Sequence, residues 1–178
     1  FAAVVQQPAR LRDQVARRCQ ARGWSGWVDT VTDWLVACLQ APLPLPHTPP
    51  AEHAAAPVAL ADLRTCLPEM EFWLAAQPLS ARDIDRLVTA HTLGGAPRPP
   101  LRDDRLHGMF KGFMDLVFEH RGRYYVADYK SNWLGPHDAD YTADALRAEV
   151  LRARYELQYA LYLLALHRLL RQRLPGYD

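Results

Sequence analysis

From Glu69 to Ala75 the chain alternates, with Met70, Phe72 and Leu74 at one parity and Glu69, Glu71 and Trp73 at the other. That is the period of a strand buried on one face. Gly112–Phe118 and Tyr124–Lys130 are rich in aromatic and β-branched residues and are separated by His120-Arg121-Gly122-Arg123. This pattern predicts a hairpin with a tight glycine-containing turn. Helical spacing is predicted elsewhere. Pro8–Arg22 reads as a charged helix ending near Gly23. Trp27–Gln40 carries Val31, Trp34, Leu35 and Cys38 on one face. Leu79–Leu93 opens at Ser80 with Asp83 at capping-box spacing. A long helical region runs from about Tyr141 to Leu174 and stops at Pro175-Gly176. Six of the fourteen prolines fall between Pro42 and Pro57, which predicts a surface connection without regular structure. The resulting order is helix, helix, strand, helix, strand, strand, helix, with no internal repeat. It predicts an α/β fold, a small mixed sheet flanked by helices. Its divisions are an N-terminal helical part over 1–41, a Pro-rich connection over 42–67 and a core over 68–178.

The predicted hairpin contains residues that a buried strand disfavours. Asp115 sits in the first strand, and Asp128 and Lys130 in the second, among positions that are otherwise almost all apolar. Alternation places Asp128 and Lys130 on one side with Tyr129 opposite, and pairing about the turn lets Asp115 reach the same sheet edge. Two carboxylates meeting at one point repel unless a cation neutralises them. Hard oxygen donors select Mg²⁺ or Mn²⁺ rather than zinc. Such an ion activates a bound water and stabilises charge on phosphate, and a neighbouring lysine orients or deprotonates that water or neutralises the transition state. This is the chemistry of phosphodiester hydrolysis. The plain structural reading is a solvated Asp-x-Lys ion pair, with Asp115 as an edge-strand charge that discourages aggregation.

Composition narrows the class without naming a partner. The chain has 178 residues, enough for one good core, and a formal net charge of +1, so no global nucleic-acid signature is present. Arg147, Arg152, Arg154, Arg168, Arg171 and Arg173 form a basic stripe in the last helical region. The stripe suits either a phosphate backbone or a solvated helix face. Cys19, Cys38 and Cys66 are scattered and form no metal motif, which points to a reduced, cytoplasmic setting. The longest apolar run, Leu157–Leu166, is too short to cross a membrane. Trp24, Trp27, Trp34 and Trp73 read as packing residues, and His107, His120 and His137 as bystanders rather than metal ligands. No phosphate-binding Gly-Lys-Ser/Thr loop is present, so ATP chemistry lies outside this segment.

The run Gly112-Phe113-Met114-Asp115, then Asp128-Tyr129-Lys130-Ser131-Asn132-Trp133-Leu134-Gly135, then Gln158-Tyr159-Ala160-Leu161-Tyr162 resembles the RecB-type nuclease domains of the PD-(D/E)xK superfamily. The resemblance is strong from Glu69 to Asp178. It implies a restriction-endonuclease-like core, with further strands after the long helix, so that the chain is expected to be a fragment lacking its last strands. It implies Asp115 and Asp128 as metal ligands together with the Tyr129 carbonyl, and Asp128 and Lys130 as catalytic residues. Glu69 matches the acid of the preceding strand, with Glu71 two residues on as the other choice. Gln158 and Tyr162 match a Gln-x-x-x-Tyr pair that lines the site near DNA. The implied cofactor is Mg²⁺, with Mn²⁺ or Ca²⁺ able to occupy the site. A metal-ligating histidine of this family, in a Leu-His-x-Leu setting, has no counterpart here and is expected a few residues upstream of Phe1.

The same resemblance implies a metal-dependent deoxyribonuclease of the exodeoxyribonuclease V type, hydrolysing mainly single-stranded DNA in double-strand-break repair and recombination. ATP would be used only by the parent protein. Implied partners are DNA, the RecC and RecD subunits and RecA as a docking protein, in a bacterial cytoplasm. The alternative is a catalytically silent nuclease-fold module that serves as a DNA-channel wall or as a RecA or RecC docking surface. An iron–sulfur nuclease is disfavoured, because such a cluster needs four cysteines.

Overall fold

The computed structural model describes residues 7–45 and 57–177. Most of the Pro-rich connection, residues 46–56, lies outside the described residues. The chain forms two compact units, one of Phe1–Cys66 with Phe118–Arg123 and the other of Leu67–Val117 with Tyr124–Asp178.

In the first unit, helices α1 (Pro8–Gln20) and α2 (Val28–Gln40) share a small core. Leu11, Val15 and Cys19 recur every four residues along α1, are all buried, and meet Val28, Val31, Leu35 and Val36. Pro8 suits the first turn of α1, where the missing N–H costs no helical bond. The apolar face expected on α2 is rotated from its prediction: Val31 and Leu35 pack, whereas Trp34 and Cys38 are exposed. Trp24 and Trp27 are exposed as well, so these three tryptophans are not core residues. Regular structure also extends into the Pro-rich stretch. Strand β1 (Pro42–Leu43) pairs antiparallel with β2 (Val58–Ala59). Pro42 is tolerated there because it opens a strand.

The second unit contains most of a sheet in which β3 (Thr65–Ser80), β4 (Arg105–His120) and β5 (Arg123–Ala127) lie side by side in chain order. Helix α3 (Ala81–His91) follows β3. The Ser80 hydroxyl accepts from the Asp83 amide at 3.3 Å, the N-cap that the sequence signals. Arg121 and Gly122 turn β4 into β5, both at positive φ (54° and 74°), as the tight hairpin turn requires. The predicted alternation of β3 holds. Leu74 is buried and Met70 and Phe72 are partly buried against the core, while Glu69, Glu71 and Trp73 face out. Gly112 belongs to this packing, since a Cβ there would lie 2.5 Å from the tip of the Phe72 ring.

The long C-terminal helix divides in two. Thr142 caps α4 (Ala143–Ala153), and α5 (Tyr155–Arg173) begins beyond Arg154. Arg154 is left-handed at φ 59°, a conformation that costs a non-glycine residue roughly 1–2 kcal/mol. Its guanidinium is held by Asp85 and Glu156, each at 2.5 Å, and by the Pro99 carbonyl. Helix α5 then lays Tyr162, Ala165, Leu166 and Leu170 against Leu74, Met114 and Val117 of the sheet. The α/β arrangement expected from the sequence is therefore present, with a helix closing the sheet's inner face. Among the described residues no helix is long and apolar enough to cross a membrane.

Candidate active site

Asp115 lies where β4 departs from strict alternation. Met114 and Val117 are three residues apart, yet both enter the same core cluster. From Leu116 to Phe118 successive residues are buried, so both faces of the strand are covered there. Across from it, β5 ends at Ala127. Asp128, Tyr129 and Lys130 were expected inside this strand, but they follow it as irregular chain. There the Tyr129 amide donates to Asp115 Oδ2 at 2.8 Å. This bond ties the first acid to the backbone between the second acid and the lysine, and it occupies one of the Asp115 oxygens.

Asp128 and Lys130 point to the same side, as the alternation predicts, and both are bound by Gln158 from the start of α5. Lys130 Nζ donates to Asp128 Oδ2 and, at 2.7 Å, to Gln158 Oε1. The Gln158 amide nitrogen donates to Asp128 Oδ1 at 3.1 Å and to the Tyr162 hydroxyl at 2.6 Å. One amide thus bridges the acid and the lysine and has all its polar atoms engaged. Tyr162 is expected, with Gln158, to line the site near DNA. It is buried, one turn further along α5, with its ring edge-on to Phe72 at 5.6 Å. Its hydroxyl reaches the site only through Gln158.

Three residues not singled out from the sequence complete the surroundings. Lys130 Nζ stands 4.4 Å from the centre of the Tyr155 ring, within cation–π range. The Tyr155 hydroxyl donates to Asn132 Oδ1 at 3.0 Å, and Asn132 donates to Glu149 at 2.6 Å. The Glu149 carboxyl lies below its ordinary range because it accepts from Arg152 and Asn132, which outweighs its desolvation. Tyr155 was legible in principle, since it lies three residues before Gln158 and therefore on the same helical face. Asn132 is a member of the Ser-Asn-Trp run, but its partners come from α4 and α5.

Glu69 and Glu71 make no hydrogen bond or ion pair with Asp115, Asp128 or Lys130 among the described residues. Glu69 is exposed at φ 50°, an uncommon backbone for a non-glycine residue. Glu71 is occupied by the Trp73 indole N–H at 2.5 Å and by Lys111 at 3.3 Å. Among the described residues no group of three or more His, Cys, Asp or Glu side chains is gathered as a metal cage. The hard side-chain donors on this hairpin are the carboxylates of Asp115 and Asp128. This set fits a cation that keeps several waters, as Mg²⁺ does, and does not fit zinc.

The expected basic stripe is half consumed by structure. Arg147 donates to the Leu93 carbonyl at 2.8 Å, and Arg152 pairs with Glu149 at 2.6 Å. Arg154 is largely buried between Asp85 and Glu156. Arg168, Arg171 and Arg173, in the last turns of α5, are exposed and make no ion pair among the described residues.

A family model described as the PD-(D/E)XK nuclease superfamily matches residues 12–176. The chain is 44% identical over 155 residues to the RecBCD enzyme subunit RecB of Escherichia coli (strain K12), a match that covers 86% of this chain and 12% of that protein. The corresponding subunit of Haemophilus influenzae is 41% identical over 155 residues, covering 84% and 12%. That of Mycobacterium tuberculosis (strain ATCC 25618 / H37Rv) is 36% identical over 131 residues, covering 68% and 11%. The chain thus spans about an eighth of the length of these curated relatives.

Proposed function

The chain belongs to the PD-(D/E)XK nuclease superfamily, and from that premise we propose that it is the Mg²⁺-dependent deoxyribonuclease part of a RecB-type helicase–nuclease. The observation that carries the reading is that the Tyr129 amide ties Asp115 to the segment bearing Asp128 and Lys130, while Gln158 bridges those two side chains. A degenerate nuclease fold serving only as a channel wall or docking surface has no need of two acids and a lysine bridged in this way.

Asp115, Asp128 and the Tyr129 carbonyl are the residues that would hold the cation. When bound, it supplies charge for the phosphate oxygens and acidity for a water. Lys130 uses two of its three N–H groups on Asp128 and Gln158. Its third is available to orient the attacking water or to donate to the phosphate oxygen that gains charge. Gln158 fixes the lysine and the acid relative to each other before substrate arrives, and such preorganisation is where positioning contributes to rate. Tyr162 is a positioning residue behind Gln158. Glu69, with Glu71 as the other choice, is the acid proposed to complete the site from β3.

By similarity to the RecB subunits, the substrate is DNA, chiefly single strands from unwound duplex ends in break repair and recombination. RecC and RecD are the proposed partner subunits, with RecA docking, in the bacterial cytoplasm. ATP chemistry belongs to the parent protein outside this chain. The test is cleavage of labelled single-stranded DNA by the full-length protein with Mg²⁺, wild type against Asp128→Ala. Cleavage lost in the variant supports the reading. A folded wild type that binds Mg²⁺ and leaves DNA intact overturns it in favour of the docking module.

A further inference from the structure

The outer face of β3 and β4 carries a feature that hydrolysis alone does not explain. Trp73 and Phe113 are large aromatic residues, yet they remain 54% and 48% exposed. Between their rings sits Lys111 Nζ, 4.9 Å from the Trp73 centroid and 5.2 Å from the Phe113 centroid. Glu71 fixes the arrangement by accepting from the Trp73 indole and pairing with Lys111. Trp73 and Lys111 are therefore tied to one carboxylate, which opposes the lysine charge. An exposed aromatic surface whose one cation faces a carboxylate suits flat π-faces better than phosphate groups.

Position decides which flat faces these are. Lys111, Phe113 and Asp115 share one parity of β4, opposite the core residue Met114. At ~3.3 Å of rise per residue, Phe113 lies about 7 Å and Lys111 about 13 Å along the strand from Asp115. That is the reach of the nucleotides next to the bond being cut. We propose that Trp73 and Phe113, set by Lys111 and Glu71, form a base-stacking platform that holds single-stranded DNA beside the Asp115–Asp128–Lys130 site. The inference rests on the nuclease reading and deepens it, by assigning the unpaired bases, as well as the phosphates, as a recognised part of the substrate.

The test uses the full-length protein, with cleavage silenced by Asp128→Asn for binding measurements. The probes are an oligothymidine and an abasic strand of the same length. Stacking predicts that the silenced protein prefers the oligothymidine by about tenfold or more, that tryptophan fluorescence is quenched on binding, and that Trp73→Ala with Phe113→Ala abolishes both. Trp73→Phe retains most of the preference, which separates stacking from misfolding. In the cleaving protein the same pair of alanines raises KM about tenfold while kcat at saturation stays within about twofold. An unchanged preference in the double variant overturns the platform. So does a Trp73 that is shielded from a soluble quencher before DNA is added, or a double variant that binds DNA normally but no longer assembles with its partner subunits. Failure of the nuclease reading looks different: the base preference survives, but the wild type does not cleave with Mg²⁺.

Discussion

The Tyr129 amide donates to Asp115 Oδ2, 2.8 Å across the hairpin. An acid of one strand thereby holds the residues that follow the other. Asp115→Asn keeps an acceptor for the amide and removes only the charge. It is expected to leave thermal stability nearly unchanged while lowering cleavage by on the order of 100-fold. Asp115→Ala is expected to lose the same activity and about 0.5–1.5 kcal/mol of stability besides. Thermal denaturation beside single-turnover cleavage separates the two effects. If the asparagine variant cuts at the wild-type rate, Asp115 is a structural tie and not a metal ligand.

Gln158 joins Lys130 to Asp128 through one amide, so its loss acts on both. Gln158→Leu is expected to lower kcat by about 10- to 100-fold with little change in KM, because a misplaced catalytic group costs rate rather than ground-state binding. The kcat and KM of cleavage by the full-length protein check this. A rise in KM at constant kcat assigns Gln158 to substrate binding instead.

Gly112 lets the Phe72 ring lie directly on β4, and Phe72 in turn meets Tyr162. Gly112→Ala pushes that ring toward the core. The expected cost is about 1–3 kcal/mol, read as a lowered midpoint in denaturant. Gly112→Ala combined with Phe72→Leu is expected to recover part of the loss, which identifies the ring as the obstacle.

Burial alone raises the Asp85 carboxyl, but the Leu101 amide and the Arg154 guanidinium outweigh it and hold the carboxyl below its ordinary range. A carboxyl held low in the folded state contributes stability that is complete above its unfolded pKa, about 4, and is lost as pH falls through the folded value. Asp85→Asn is expected to be less stable than wild type at pH 7 and to approach it at the acid end, as followed by thermal melts across that range. Parallel curves instead mean that Asp85 does not contribute to the acid loss.

Glu156 is wholly buried and accepts from Arg154 at 2.5 Å, with Arg98 at 3.5 Å. Its removal leaves Arg154 with Asp85 and the Pro99 carbonyl, and leaves the almost fully buried Arg98 with hydrogen-bond acceptors on Thr92 and Ala96 but no carboxylate. Glu156→Ala is expected to cost about 3–5 kcal/mol, whereas replacing Arg98 and Glu156 together with apolar residues of similar size costs less. A double-mutant cycle in denaturant measures the difference.

Local pattern was enough to read the strands, the hairpin turn and the Ser80 cap, because each depends on residues within a few positions of one another. The acids and the lysine were legible for a related reason. An ionic residue in an apolar strand stands out by its desolvation cost, whatever lies around it. What the pattern missed was set by long-range partners. The helix after Thr142 breaks at Arg154 because Asp85, Pro99 and Glu156 meet its guanidinium. The second strand stops at Ala127, and beyond it the Tyr129 amide is taken by the Asp115 side chain. Half the apparent basic stripe is engaged within the fold, since Glu149 and Asp85 pair with two of its arginines and a backbone carbonyl accepts from a third. Tryptophans that read as core are exposed, because hydrophobicity alone does not say which face of an element finds a partner. Chemistry was thus written in residue identity and short spacing. The aim of each group, and which charges remain free, was decided by contacts between segments that only the folded chain brings together.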